Sequence, residues 1–388
     1  MDPLGQRTMQ ILKQLIRIRT CQPSGDEEPA ALYLRDLFGG YSVELTTIDH
    51  GEGRASLMAT IPGVDRSRSV AVTGHLDTVG VDAEDPWRHG PFSAFQEGDR
   101  VYGRGAADMK GGVTSIVLAA LSLLEDGAVP PQDIQLCFTA DEEIGGLGAK
   151  ALCDGGYLDS VRELVVVKPT DERIGLAEKG AVWISLEVSG LSSHAAAPEG
   201  GVNAIEEAAS FAQEISRWLR KKGKHRLLGH CTCTVTSLHG GDSSNVVPKR
   251  ASASFDIRTS PLIDHVALLD QIRSIAEGRM RERPPLELRY TVVQDRPALG
   301  MDEGAPLVRR FADIYKKLGI PWKTTGIRYF TDASIFVPRL GVPFVILGPG
   351  EEGFFHQPDE YVSIRSVTRM ARALEEYLRS SSDVEDVV

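Results

Sequence analysis

Four short apolar runs constrain this chain most: SVAVTGH (69–75), DIQLCFTA (133–140), ELVVVK (163–168) and VPFVILGPG (342–350). Each is rich in Val, Ile, Leu or Phe, and the apolar residues follow one another instead of alternating with polar ones. Such runs are strands covered on both faces, which means a mostly parallel sheet between helices. Helical patterns fall between them, VTSIVLAALSLLEDG (113–127) being the clearest, and the chain opens on an amphipathic one, MDPLGQRTMQILKQLIRIRT.

The rhythm changes between about 181 and 294. AVWISLEVSG alternates as a half-buried strand, VNAIEEAASFAQEISRWLRKKG reads as a helix, and CTCTVTSL and RASASFDIRT read as two strands. SPLIDHVALLDQIRSIAEGRM follows as a helix opened by Ser260 and Pro261, and PLELRYTVV closes the set. The order is βαββαβ, a ferredoxin-like unit. The expectation is an α/β domain over 1–180 and 296–388, interrupted at 181–295 by an α+β insertion. A helix, SVTRMARALEEYLRS, ends the fold, and SSSDVEDVV reads as a solvated tail.

A length of 388 residues with 42% hydrophobic content fits two domains that bury cores of their own. The formal charge of -11, with no basic stripe, disfavours nucleic acid as a partner. Five cysteines (Cys21, Cys137, Cys153, Cys231, Cys233) lie mostly in apolar segments without C-x-x-C spacing, so they read as buried thiols in a reducing compartment. Cys231 and Cys233, two apart on one strand face, are awkwardly placed for a cross-link. No signal peptide and no run of membrane-spanning length is found, so the expected location is cytoplasmic, without a membrane partner.

The chemistry-bearing residues share one placement. His75 and Asp77 stand two apart at the end of the first run, so an extended backbone aims both the same way. Asp108 lies in the glycine-rich turn GRGAADMKGG, where an ordinary helix cap is the plainer reading. Asp141, Glu142 and Glu143 follow the second run; three adjacent carboxylates fit either a bound cation or a solvated turn. His356, in GPGEEGFFHQPDEYV, follows the fourth. Open α/β sheets bind ligands beyond the carboxyl ends of their strands, so together these residues suggest a metal site. Asp, Glu and His ligands suit Zn²⁺, with Co²⁺ or Mn²⁺ possible, and the lack of cysteine ligands beside a spare carboxylate favours catalysis over structure.

The ordered motifs GHLDTV, GRGAADMKGG, TADEEIGG, SSHAAAPEGGVNAI, NVVP, DIRT and HQPDEYV resemble a metal-dependent aminoacylase and carboxypeptidase family. That family includes acetylornithine deacetylase, succinyl-diaminopimelate desuccinylase and glutamate carboxypeptidase. The resemblance covers nearly the whole chain and implies a zinc-peptidase-like catalytic domain with a lid that also dimerises. It implies hydrolysis of an N-acyl amino acid or dipeptide-like amide bearing an α-carboxylate. By resemblance, Asp108 bridges two metals, one completed by Glu143 and His356, the other by His75 and a further carboxylate. Asp77 orients His75, Glu142 is the general base, His194 reaches a partner's active site to steady the oxyanion, and Asn245 and Arg258 hold the substrate carboxylate. Thr331 and Asp332, in YFTDASIF, fall where relatives line the substrate pocket.

One position departs from the pattern. Where the family carries Glu or Asp, this chain has Lys168, in VVVKPTDERI. An ammonium cannot ligate a metal and repels a nearby cation. The expectation is one or two ions per chain: a single ion with the ammonium standing in for the second, or a neutral or carbamylated lysine that ligates. Chemistry moved to another amide-like bond, or a non-catalytic carboxylate-binding protein, are the other readings.

Overall fold

The computed structural model describes residues 3–380, so nearly all of the expected tail lies outside the described residues. The chain forms two units: residues 3–176, 301–325 and 331–380 make one, and Ala177–Gly300 with Gly326–Phe330 the other. The insertion thus runs slightly wider than 181–295 and takes in a short piece, Gly326–Phe330, that no break in the sequence pattern announces.

In the first unit the strands Glu44–Gly51, Arg54–Ile61, Gln132–Thr139, Asp65–His75, Val161–Val166 and Phe344–Ile346 lie side by side in that order. The last four are parallel to one another, and the first two are antiparallel additions at the edge. Every residue of Gln132–Thr139 is buried, as its unbroken apolar pattern requires. The helices Pro3–Arg17, Gly111–Glu125 and Ile364–Arg379 pack on one another, and Leu147–Asp154 packs on Ala333–Leu340. The segment Ala106–Glu125 is in fact long and apolar enough to cross a membrane, contrary to expectation. It is the buried central helix of this unit instead, nearly every residue from Gly111 to Leu121 being inaccessible.

The strand order has a direct consequence for the site. It sets the carboxyl ends of four parallel strands in a row, so Glu142 and Glu143, His75, Lys168 and the loop leading to His356 emerge next to one another.

The second unit is a four-stranded antiparallel sheet in the order Thr232–Gly240, Arg250–Arg258, Ala181–Ser189, Glu287–Arg296. Two helices, Ala204–Arg220 and His265–Glu282, cover one face, which is the ferredoxin-like arrangement. In Ala181–Ser189 the alternation is clean: Val182, Ile184, Leu186 and Val188 enter the core, and Ser185, Glu187 and Ser189 face outward. The second helix begins at His265, not at Ser260 and Pro261. Asp264 is its cap, its side chain accepting from the Ala267 N–H at 3.0 Å, and Ser260–Ile263 form a turn before it. All five cysteines are free thiols.

Candidate metal centre

His75 is the last residue of its strand, and Glu142 and Glu143 follow Thr139 by one turn. Lys168 sits two residues past Val166, its backbone gripped from two sides. A Cβ added to Gly112 would stand 2.1 Å from the Val167 carbonyl, and one added to Gly348 would stand 2.4 Å from that of Lys168. Only glycine permits either approach. Asp108 lies in the turn that opens the central helix, and His356 is held at φ 62°, a conformation rare outside glycine and found most at functional sites.

These side chains gather on the two sides of Asp108. On one side, Oδ2 is 3.4 Å from His356 Nε2, which is itself 3.1 Å from Glu143 Oε1. On the other, Oδ1 accepts from the Lys168 ammonium at 2.7 Å and lies 3.1 Å from His75 Nε2. Lys168 Nζ is also 2.8 Å from His75 Nε2 and 3.5 Å from Glu142 Oε2. A single buried carboxylate therefore faces two positions, and the amine already occupies one of them.

Among the described residues, two groups of side chains offer ligand atoms all within 4.8 Å of one another: Asp108, Glu143 and His356, and His75, Glu142 and Glu143. The first group fits a divalent ion, offering two carboxylates and an imidazole. Its field is visible in His356, which sits on the exposed rim. Partial burial opposes its charge, yet hydrogen bonds to Asp108 and Glu143 push its pKa up to about 10. A metal ion at this site would displace that proton, because an imidazole ligates only in its neutral form. The second group surrounds Lys168, whose charge disfavours an ion there.

Burial likewise works against the Asp108 carboxylate, but Lys168 and the two imidazoles outweigh it and hold the pKa well below the ordinary 3.8. Glu142 moves the other way. Desolvation lifts it to about 7, with Glu143 and Asp332 adding to the rise and Lys168 and His75 opposing it. Its Oε1 is buried without a hydrogen-bond partner, leaving one oxygen free to take a proton.

The supporting contacts differ from expectation in one respect. His75 Nδ1 donates to the backbone carbonyl of Asp77 at 2.9 Å, while the Asp77 carboxylate stands 3.5 Å away. That carboxylate instead accepts from the backbone N–H groups of Glu142 and Glu143 at 3.0 and 3.1 Å and from Gln22 at 2.8 Å. Asp77 thus fixes the acidic turn more directly than the imidazole. Glu360 does the equivalent for Asp108. Its buried carboxylate accepts from the N–H groups of Ala107 and Asp108 at 3.0 and 3.1 Å and from Arg104 at 2.8 Å. Gln22 and Glu360 are the functional residues that the sequence reading missed. Glu360 had a signal, four residues after His356 in the same motif, whereas Gln22 had none.

Thr331 and Asp332 line the recess shared by His75, Glu142 and Lys168, and Asp332 accepts from Thr139 Oγ1 at 2.6 Å. The remaining expected residues belong to the second unit. His194 and Asn245 are exposed in adjoining loops, tied by a bond from the Ala195 N–H to the Asn245 carbonyl at 2.9 Å. Arg258 is paired through two nitrogens with Asp256, at 2.8 and 3.0 Å.

The chain is similar to known proteins along nearly its whole length. Residues 71–380 match the family model described as peptidase family M20/M25/M40. A probable succinyl-diaminopimelate desuccinylase of Staphylococcus aureus is 28% identical over 383 residues, covering 91% of this chain and 92% of that protein. Among solved structures, an aminopeptidase PepT from Bacillus cereus superposes with a TM-score of 0.78 at 21% identity, covering 97% of this chain and 98% of that one. An M20 family metallo-carboxypeptidase from Sulfolobus solfataricus does so at 0.77 and 20% identity, covering 98% and 99%. These two show a shared fold.

Proposed function

We propose a function from one premise: the chain belongs to peptidase family M20/M25/M40. It is a hydrolase of amide bonds. The finer reading is that it releases the acyl group of an N-acyl amino acid, or splits a dipeptide-like amide, using a single divalent ion. The observation that carries the single-ion reading is Lys168 Nζ at 2.7 Å from Asp108 Oδ1 and 2.8 Å from His75 Nε2, in the midst of the second ligand group.

Asp108, Glu143 and His356 would hold the ion, with Zn²⁺ the best match to their donor atoms. When bound, it would supply Lewis acidity that acidifies a water and polarises the amide carbonyl. Glu142 would accept a proton of the attacking water on Oε1 as the C–O bond forms, and would then return it to the departing nitrogen as the C–N bond breaks, so that the proton ends on the amine. A carboxyl group with a pKa of about 7 suits both directions of that transfer. Lys168 would keep Asp108 ionised and fixed in place of a second cation.

A homodimer is proposed through the second unit, whose outer strand Thr232–Gly240 exposes Val235 and Leu238. In it the partner subunit's His194 would steady the oxyanion, and Asn245 and Arg258 would contact the substrate carboxylate. The free cysteines support a reducing, cytoplasmic setting. A relative named as a desuccinylase supports the N-acyl side of the reading.

The test is a hydrolysis screen of N-acetyl, N-succinyl and N-formyl amino acids alongside dipeptides. Turnover of at least one class is expected, and it should fall by about 10²- to 10⁴-fold in Glu142→Gln with metal content unchanged. Absence of turnover on every class, with metal present, would remove the finer reading.

A further inference from the structure

The acidic turn that carries Glu142 and Glu143 starts at Asp141, whose backbone is held at φ 67°. Aspartate visits this left-handed conformation more readily than most residues, yet it persists only where neighbours fix it. Three side chains do so. The Asp141 N–H donates to Glu27 Oε1 at 3.2 Å, and its Oδ1 lies 3.0 Å from Arg54 Nη1 and accepts from Gln22 Nε2 at 3.3 Å. Arg54 engages Glu27 at the same time, donating from Nε to Oε2 at 3.1 Å and from Nη2 to Oε1 at 2.6 Å. One guanidinium thus spans two carboxylates through all three of its nitrogens, a reach that its rigid fork permits and a single ammonium does not.

The parts come from distant stretches of the chain. Residues 20–22 run beside those after His75, the Thr78 N–H donating to the Thr20 carbonyl and the Gln22 N–H to the Thr78 carbonyl, both at 2.8 Å. The Glu28 N–H donates to the Gly53 carbonyl at 3.0 Å, which sets the fully buried Glu27 beside Arg54. Arg54 opens its strand, and Ser56, two residues on and on the same face, accepts from the Ala140 N–H at 3.0 Å through its hydroxyl. That strand therefore grips the two residues before Glu142 with two side chains.

A buried ion pair adds little net stability, because desolvation offsets its attraction. Its effect here is geometric. The N–H groups of Glu142 and Glu143 bind Asp77, and Asp77 and Asp141 share Gln22 Nε2, so the turn is fixed at Asp77 on one side and at Arg54 on the other. We propose that Arg54 is a positioning residue for Glu142 and Glu143, acting through Asp141 with Glu27 as its counter-charge, a role that rests on reading those two carboxylates as base and ligand.

The first readout needs no metal: hydrogen exchange of the stretch 139–148, in protein stripped of ions. Arg54→Met should raise exchange in that turn by about tenfold, as a local opening does well short of global unfolding. Glu27→Gln with Arg54→Met removes both charges, so no unpaired ion is left to disturb folding, and it should show the same rise because the tie to Asp141 is still lost. Arg310→Met is the control: it breaks a comparable buried pair with Glu163, at 2.8 and 3.2 Å in the same unit, and should leave exchange in the turn unchanged. The second readout is Zn²⁺ affinity by chelator competition, which should weaken by roughly 10- to 100-fold in both Arg54 variants and hold in Arg310→Met. Wild-type exchange in the turn of both Arg54 variants, unaltered Zn²⁺ affinity in them, or an equal rise in Arg310→Met would overturn the proposal. A wild type that takes up no Zn²⁺ would remove the metal reading instead, leaving exchange to decide the role of Arg54.

Discussion

Lys168 brings a cation into the midst of the candidate ligands, and it acts through charge before it acts through shape. Its ammonium gives Asp108 a counter-charge at 2.7 Å, the service a second metal would otherwise perform. Lys168→Glu should therefore create a second binding site, and elemental analysis of that variant should find more metal per chain than in wild type. Unchanged metal content would mean the lysine already takes part in a full two-ion centre. Glu360 is a positioning residue for Asp108, and Glu360→Gln should weaken metal affinity by roughly 10- to 100-fold, as loss of such outer contacts commonly does. A chelator competition reads that affinity directly, and an unaltered value would show that Arg104 and the turn suffice. At this scale much was legible in the sequence, because Asp108, Glu142, Glu143, His75 and His356 each stand beyond a recognisable strand or in a marked glycine turn. Gln22 was not, because its partners Asp77 and Asp141 come from distant parts of the chain.

The elements follow from two periodicities. Unbroken Val and Ile runs gave the central parallel strands, and alternation gave the second unit's sheet, because burial on two faces or on one dictates each pattern. Helix starts were harder to place. SPLIDHV contains two capping signals four residues apart, Ser260 before Pro261 and Asp264 before His265, and local sequence does not rank them. Packing does: His265 is buried against Thr259 and Asp295, so the helix begins there and the Ser-Pro pair is left in a turn. Asp264→Ala should destabilise the second unit by about 1 kcal/mol, the usual worth of such a cap. Amide exchange at the first turn of His265–Glu282 would report it, and protection equal to wild type would assign the stop signal to the preceding turn. The turn immediately after His75 presents the Asp77 carbonyl to the imidazole at 2.9 Å, and the Asp77 carboxylate stays close, at 3.5 Å.

For the whole molecule, an ion held by Asp108, Glu143 and His356 in the folded chain and not in the unfolded one also stabilises the fold. At a free concentration about a hundredfold above its dissociation constant the gain is roughly 2.7 kcal/mol by mass action. Stripping the protein with a chelator should lower its thermal midpoint, and adding Zn²⁺ should restore it; no shift would separate the centre from stability. The central claim is that one face of Asp108 binds a metal and the other binds an amine of the protein itself. Metal content per chain, measured by elemental analysis on wild-type protein equilibrated with excess Zn²⁺ and freed of unbound ion, tests this most directly. One ion per chain is expected, lost on substitution of Glu143 and His356 together. Two ions per chain, or none, would contradict it.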